Sequence, residues 1–124
     1  ERTQIKHYFI GQMKEDAKRA LDAGIKKERI ILDPGVGFAK TQEQNLMTIA
    51  NLDRLKALGY PVLLGTSRKS VIGYVLDVPT DKRLVGTLAT SAVAVQTGCM
   101  FVRVHDVKEN VELIQMLERI RESR

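Results

Sequence analysis

Apolar and polar positions along the chain follow two rhythms, one helical and one suited to buried strands. Over residues 4–23 the apolar side chains Ile5, Tyr8, Phe9, Met13, Ala17, Ala20 and Leu21 recur at helical spacing. Gly24 supplies the stop, because glycine tolerates the left-handed backbone that ends many helices. Residues 29–33 then have a continuous apolar centre, Ile30-Ile31-Leu32, which predicts a strand buried on both faces. Pro34-Gly35-Val36-Gly37 breaks it. Thr41 and Gln44 are spaced as a capping box and open a helix whose apolar face is Leu46, Ile49, Ala50, Leu52 and Leu55, ending near Gly59. A second strand follows over residues 62–65. Residues 67–75 read as a loop entering a short helix that Val78-Pro79 interrupts, and residues 80–97 as a longer helix stopped by Gly98. A third strand is expected over residues 100–104. Asp106 is then placed to cap a last helix carrying Val111, Ile114, Leu117 and Ile120.

Strands that alternate with helices imply right-handed crossovers and an α/β fold with a parallel sheet. The pattern fits a segment of a closed barrel and a small open sheet equally well. Both architectures place ligands at the C-terminal ends of strands, and all three predicted strands end in polar residues. The first ends at Asp33, the second runs into Ser67-Arg68-Lys69-Ser70, and the third carries Arg103, His105 and Asp106.

Strand geometry sharpens the third cluster. Phe101, Arg103 and His105 share one side of the strand, opposite Val102 and Val104. An arginine fork and an imidazole facing one ligand suit phosphate oxygens, and Arg68 and Lys69 end the neighbouring strand. Asp33 accepts hydrogen bonds only, which suits an NH-bearing heterocycle, but it also reads as an ordinary turn or cap residue. Phe38 follows the glycine loop and either offers a ring to an aromatic substrate or staples the next helix. Gly35-Val36-Gly37 lacks the third glycine of a dinucleotide fingerprint, and residues 65–70 do not form a P-loop. His105 and Asp106 point opposite ways on a strand and make no catalytic triad, and His7 reads as a surface residue of the first helix.

Composition narrows the function. The 124 residues fit one domain, with 44% hydrophobic and 28% charged residues. The net charge of +5 raises nucleic-acid binding, but the cations are interspersed with Asp and Glu, and 5% aromatics leave few rings for base stacking. No apolar run is long enough to span a bilayer and no basic-then-apolar leader is visible, so no membrane partner is expected. The single cysteine, Cys99, points to a reducing cytoplasm. Because the chain opens at Glu1 already in a helical pattern, it is expected to be a segment of something longer.

Three stretches carry a resemblance. Residues 30–38, 64–70 and 101–107, in this order and spacing, resemble the pterin-binding enzyme family, and residues 83–90 are similar to its penultimate helix. The resemblance runs from about Ala17 to the C-terminus. It implies a (β/α)8 TIM barrel of which residues 1–124 are the C-terminal part, contributing the sixth to eighth strands with their helices. The implied activity is a transferase of folate biosynthesis. It joins 6-hydroxymethyl-7,8-dihydropterin pyrophosphate to p-aminobenzoate, giving 7,8-dihydropteroate and pyrophosphate, and sulfonamides inhibit it.

Carried onto this sequence, the resemblance implies that Asp33 and Lys69 hold the pterin and that Arg103 and His105 hold the departing pyrophosphate. Phe38 and Ser70 line the p-aminobenzoate pocket, and Gly37 and Arg68 support the loops; Lys69, Arg103 and His105 are the catalytic candidates. The magnesium ligand is expected from the N-terminal half, which this chain lacks, so catalysis by the chain alone is not expected and binding without turnover is the alternative. Unpaired sheet edges and an uncovered barrel-facing side predict self-association, and the family resemblance implies a dimer.

Overall fold

The computed structural model describes residues 2–38 and 40–124, with residues 2–8 as backbone only. The side chains of Ile5, His7 and Tyr8 therefore lie outside the described ones. Helix α1 (Arg2–Asp22) packs Phe9, Ile10, Met13, Ala17 and Ala20 against the core, while Leu21 is exposed. Gly24 follows in the left-handed region at φ 95°, as its position after the last apolar turn predicts.

The expected capping box is present: Gln44 N donates to Thr41 Oγ1 at 3.1 Å and Thr41 N to Gln44 Oε1 at 3.0 Å. The helix it opens is not continuous to Gly59. It divides into α2 (Gln42–Ala50) and α3 (Leu52–Lys56) at Asn51, whose amide donates to Met47 O at 2.8 Å. A side-chain amide that competes for a backbone carbonyl one turn back loosens a helix there, and Ala50 turns out to solvent.

The sheet is shorter than the sequence suggests. Strands β1 (Leu63–Leu64) and β2 (Phe101–Val102) pair in parallel, with Leu63 opposite Phe101 and Leu64 opposite Val102. The first predicted strand makes only one parallel bridge, Leu32 to Val62. Leu32 N donates to Pro61 O and Leu32 O accepts from Leu63 N, both at 2.9 Å. The 3-10 turn Lys27–Arg29 on one side and Pro34 on the other leave no length for more. The resulting α/β arrangement has three neighbouring parallel segments in chain order, as expected.

Burial on both faces is not what the structure shows. Ile30, Leu32, Val62 and Leu64 are buried beneath the helices, whereas Ile31 is 50% and Phe101 43% exposed. By register and alternation, Ile31, Asp33, Leu63, Gly65, Phe101, Arg103 and His105 share that open face. The site is built there.

Helix α4 (Ser70–Leu76) ends at Asp77 in the left-handed region. The helix expected from Thr80 starts later: a 3-10 turn, Thr80–Lys82, precedes α5 (Leu84–Thr97), because Arg83 between them is non-helical. Helix α6 (Val107–Glu122) lies on α5, joined by a buried hydrogen bond from Ser91 Oγ to Asn110 Oδ1 at 2.5 Å. Ile120, expected on its apolar face, is exposed. The core gathers Leu52, Leu55 and Val62, all fully buried, between the sheet and helices α1, α3 and α5. Each such side chain stabilises the fold by roughly 1.5–3 kcal/mol.

Candidate anion and heterocycle site

Three loops at the C-terminal ends of the parallel segments meet on the open face. In the first, Asp33 Oδ1 accepts from Gly35 N at 2.9 Å, the turn role that its sequence allows. Its other oxygen, Oδ2, lies 3.7 Å from Arg103 Nη1, so the same carboxylate also faces the site. Gly37 is at φ 91° and a Cβ there would stand 3.3 Å from Lys69 Cδ, so glycine both turns the loop and makes room for the lysine. Asn45, buried at the start of α2, accepts from Gly37 N at 3.0 Å and ties the loop to the core.

In the second loop, Lys69 Nζ donates to Val36 O at 2.6 Å and sits 4.9 Å from the Phe38 ring centre. Burial lowers the Lys69 ammonium below the usual lysine value, Arg103 lowers it further, and Asp33 opposes them. Phe38 is 67% exposed and does not staple the next helix; its ring lies open on the rim beside that cation. Ser70 is exposed and accepts from Gln42 Nε2 at 3.0 Å. Lys40 donates to Pro34 O, and burial lowers its ammonium as well.

Arg68 occupies the left-handed region at φ 57°, which costs a non-glycine residue on the order of 1–3 kcal/mol. Its surroundings hold it there. Its N–H donates to Thr87 Oγ1 at 3.0 Å, its carbonyl accepts from Arg83 Nη1 at 2.9 Å, and its guanidinium grips Asp106 with bonds of 2.8 and 3.3 Å. The Asp106 carboxylate is therefore not a helix cap. It stands at the N-cap position of α6 but makes no side-chain bond to the helix, because Arg68 takes it. This partner holds Asp106 below the usual carboxylate range, and the same bond raises Arg68.

In the third loop the Arg103 guanidinium lies over Gly65, where a Cβ would come within 2.6 Å of Nη2. His105 turns to Ser67, whose Oγ is 2.7 Å from Nδ1. Gly65, Ser67, Lys69, Arg103, Val104 and His105 enclose a pocket of about 140 Å³. Of the residues singled out in the sequence, Asp33, Gly37, Lys69, Arg103 and His105 converge here. Phe38 and Ser70 sit on the rim, and Arg68 points away to Asp106. Ser67, Asn45, Arg83 and Thr87, to which the sequence pattern assigns no role, also hold the site together. Ser67 lay inside the polar run at a strand end, whereas Asn45 and Thr87 sit on helices with nothing local to mark them.

Two cations and an imidazole around a small pocket, with a carboxylate beside them, are groups whose chemistry suits an anion joined to a hydrogen-bonding group, set on an α/β scaffold. The particular family follows from comparison with known proteins. The chain belongs to the pterin binding enzyme family, which matches over residues 2–105. It is 53% identical over 113 residues to the dihydropteroate synthase of Clostridium beijerinckii, covering 90% of this chain and 42% of that protein. A dihydropteroate synthase structure from Coxiella burnetii, in complex with pteroic acid, superposes with a TM-score of 0.92 at 35% identity, over 100% of this chain and 46% of that one. A Yersinia pestis dihydropteroate synthase with a sulfonamide drug complex gives 0.85 at 38% identity, over 98% and 43%. The chain thus spans about two fifths of the length of the curated relative.

Proposed function

We propose that this chain is the C-terminal part of a (β/α)8 barrel that serves a dihydropteroate synthase, holding the pterin and the leaving pyrophosphate. The observation that carries the reading is the convergence of Asp33, Lys69, Arg103 and His105 on one open face, in a chain 53% identical to a dihydropteroate synthase. In the reaction the p-aminobenzoate nitrogen attacks the pterin methylene carbon. The carbon–oxygen bond to pyrophosphate breaks, and the amine loses a proton as 7,8-dihydropteroate forms. Asp33 accepts from pterin N–H groups and Lys69 donates to a pterin acceptor. The Arg103 guanidinium neutralises the charge that builds on the leaving oxygens and a His105 N–H donates a hydrogen bond to it, each contributing roughly 2–4 kcal/mol to the transition state. The exposed Phe38 ring and the Ser70 hydroxyl border the p-aminobenzoate, and a sulfonamide would occupy the same rim.

The reading assigns magnesium no ligand among these residues. Among the described residues no group of three or more His, Cys, Asp or Glu could hold a metal ion. As the family resemblance implies, the reading takes the magnesium ligand from the part of the relatives that this chain does not span. It also includes a cytoplasmic homodimer without nucleic-acid or membrane partners, supported by the family and by the mixed-sign surface. Among the described residues no helix is long and apolar enough to cross a membrane.

A second reading, favoured by the two-fifths coverage, is an anion- and pterin-binding piece without turnover. Calorimetry of the chain with 6-hydroxymethyl-7,8-dihydropterin pyrophosphate tests the binding that both readings share. Product analysis with p-aminobenzoate, after the remaining part of a relative is joined to the chain, separates them, with product expected only in the first. Binding is expected in both, and turnover by the chain alone in neither. Absence of binding to the folded chain would remove the assigned roles of Asp33, Lys69, Arg103 and His105.

A further inference from the structure

Ser67 is buried and makes two contacts with one residue. The backbone N–H of His105 donates to Ser67 Oγ at 3.0 Å, and the same Oγ lies 2.7 Å from His105 Nδ1. A serine hydroxyl has one proton to give and two lone pairs. The backbone amide takes a lone pair, and among the described residues the acceptor within reach of the proton is Nδ1. In a neutral imidazole an accepting Nδ1 places the ring proton on Nε2. The ring lines the pocket with Lys69 and Arg103, and Nε2 makes no hydrogen bond among the described residues.

The serine itself is firmly placed. Thr66 before it is buried, with its hydroxyl 2.6 Å from Thr90 Oγ1, and Arg68 after it is held through its N–H, carbonyl and guanidinium. The hydroxyl is therefore a fixed post against which the ring registers.

We propose that Ser67 is a positioning residue that locks neutral His105 in the Nε2–H tautomer and aims that N–H at an anion in the pocket. The inference deepens the proposed function and rests on its reading of His105 as an anion donor. With the opposite tautomer, Nε2 would present a lone pair to the anion and repel it. Ser67 acts through the ring, since both contacts of its hydroxyl are with His105.

The test is a long-range nitrogen–proton NMR correlation on the chain labelled at its histidines, at about pH 8, above the ordinary imidazole range. His7→Gln assigns the other histidine. The wild-type chain is expected to show an unprotonated Nδ1 and a protonated Nε2 at His105. Ser67→Ala is expected to give a mixture of tautomers and to weaken inorganic pyrophosphate binding about fivefold, in the range of one hydrogen bond. Ser67→Thr, which keeps the hydroxyl, should restore both. A protonated Nδ1 or mixed tautomers in the wild type would overturn the proposal without any variant. So would a Ser67→Ala ring unchanged from wild type. A locked tautomer in a wild-type chain that fails to bind pyrophosphate would overturn the anion reading beneath it, and with it the aiming of Nε2.

Discussion

Substituting alanine for Gly65 adds a single methyl group at the floor of the pocket, beneath the Arg103 guanidinium. The new Cβ would stand 2.6 Å from Nη2 of Arg103, closer than such atoms tolerate, and tightly against Cζ at 3.1 Å and Nε at 3.3 Å. Gly65 is not in the left-handed region, so alanine costs nothing in backbone conformation there. The obstructed atoms belong to the far end of a flexible side chain whose surface is 59% exposed, so the arginine can swing out and the core need not move. Thermal stability should consequently change by less than about 1 kcal/mol, as for a substitution that disturbs no core packing. Anion binding should not escape, because the displaced guanidinium loses its aim. A hydrogen bond to a charged group is worth roughly 1.5–3 kcal/mol, about a ten- to hundredfold loss of pyrophosphate affinity. Isothermal calorimetry with inorganic pyrophosphate, paired with a thermal melt of the same sample, reads both quantities. Unchanged affinity would refute the placement of Arg103 in the anion site, and a collapsed melting temperature would refute the claim that only the side chain yields.

Three further outcomes follow from the same geometry. Because Arg68 depresses the Asp106 carboxyl in the folded state, the pair stabilises the fold above the ordinary Asp range, and that contribution is lost as pH falls through the depressed folded value; melts between about pH 7 and pH 2 should show an acid-linked loss that Asp106→Asn lacks. Lys69 has the opposite sign: its folded ammonium is weakened first by burial, so it costs stability below its lowered value and the cost fades as pH rises through it. Lys69→Met should therefore melt no lower than wild type near neutral pH while pterin pyrophosphate binding falls, and a lower melt with binding intact would contradict this. Ser91→Ala strands the Asn110 carbonyl between α5 and α6 and should cost about 1–3 kcal/mol in urea unfolding. A double variant, Ser91→Ala with Asn110→Leu, should recover part of that loss.

What could be read from the sequence divides along local and non-local lines. The Thr41/Gln44 capping box, the glycine stop at Gly24 and the strand-helix order depend on neighbours in sequence, and each was visible there. The shared face of Arg103 and His105 follows from strand alternation alone. The split at Asn51 was hidden, because whether its amide turns back on Met47 depends on how α2 and α3 pack. The exposure of Ile31 was hidden for another reason: an apolar run cannot tell whether the layer that covers its second face lies in the same chain. Local spacing makes Asp106 a helix cap, and the structure departs from this because its partner, Arg68, is distant in sequence and reaches it only from a left-handed backbone. Ser67 was passed over because a serine beside Arg68 and Lys69 has no chemistry of its own until His105 folds onto it.

The proposal that this chain carries the pterin and pyrophosphate part of a dihydropteroate synthase rests on the convergence of Asp33, Lys69, Arg103 and His105. Its most direct test is to exchange the matching segment of the Clostridium beijerinckii relative for this chain and to measure dihydropteroate formation from the pterin pyrophosphate and p-aminobenzoate. A folded chimera is expected to form product, and Arg103→Ala within it to lower kcat/KM by roughly 30- to 1,000-fold, the span typical of one electrostatic group. A chimera that folds and binds p-aminobenzoate yet forms no dihydropteroate, or one indifferent to Arg103→Ala, would contradict the account.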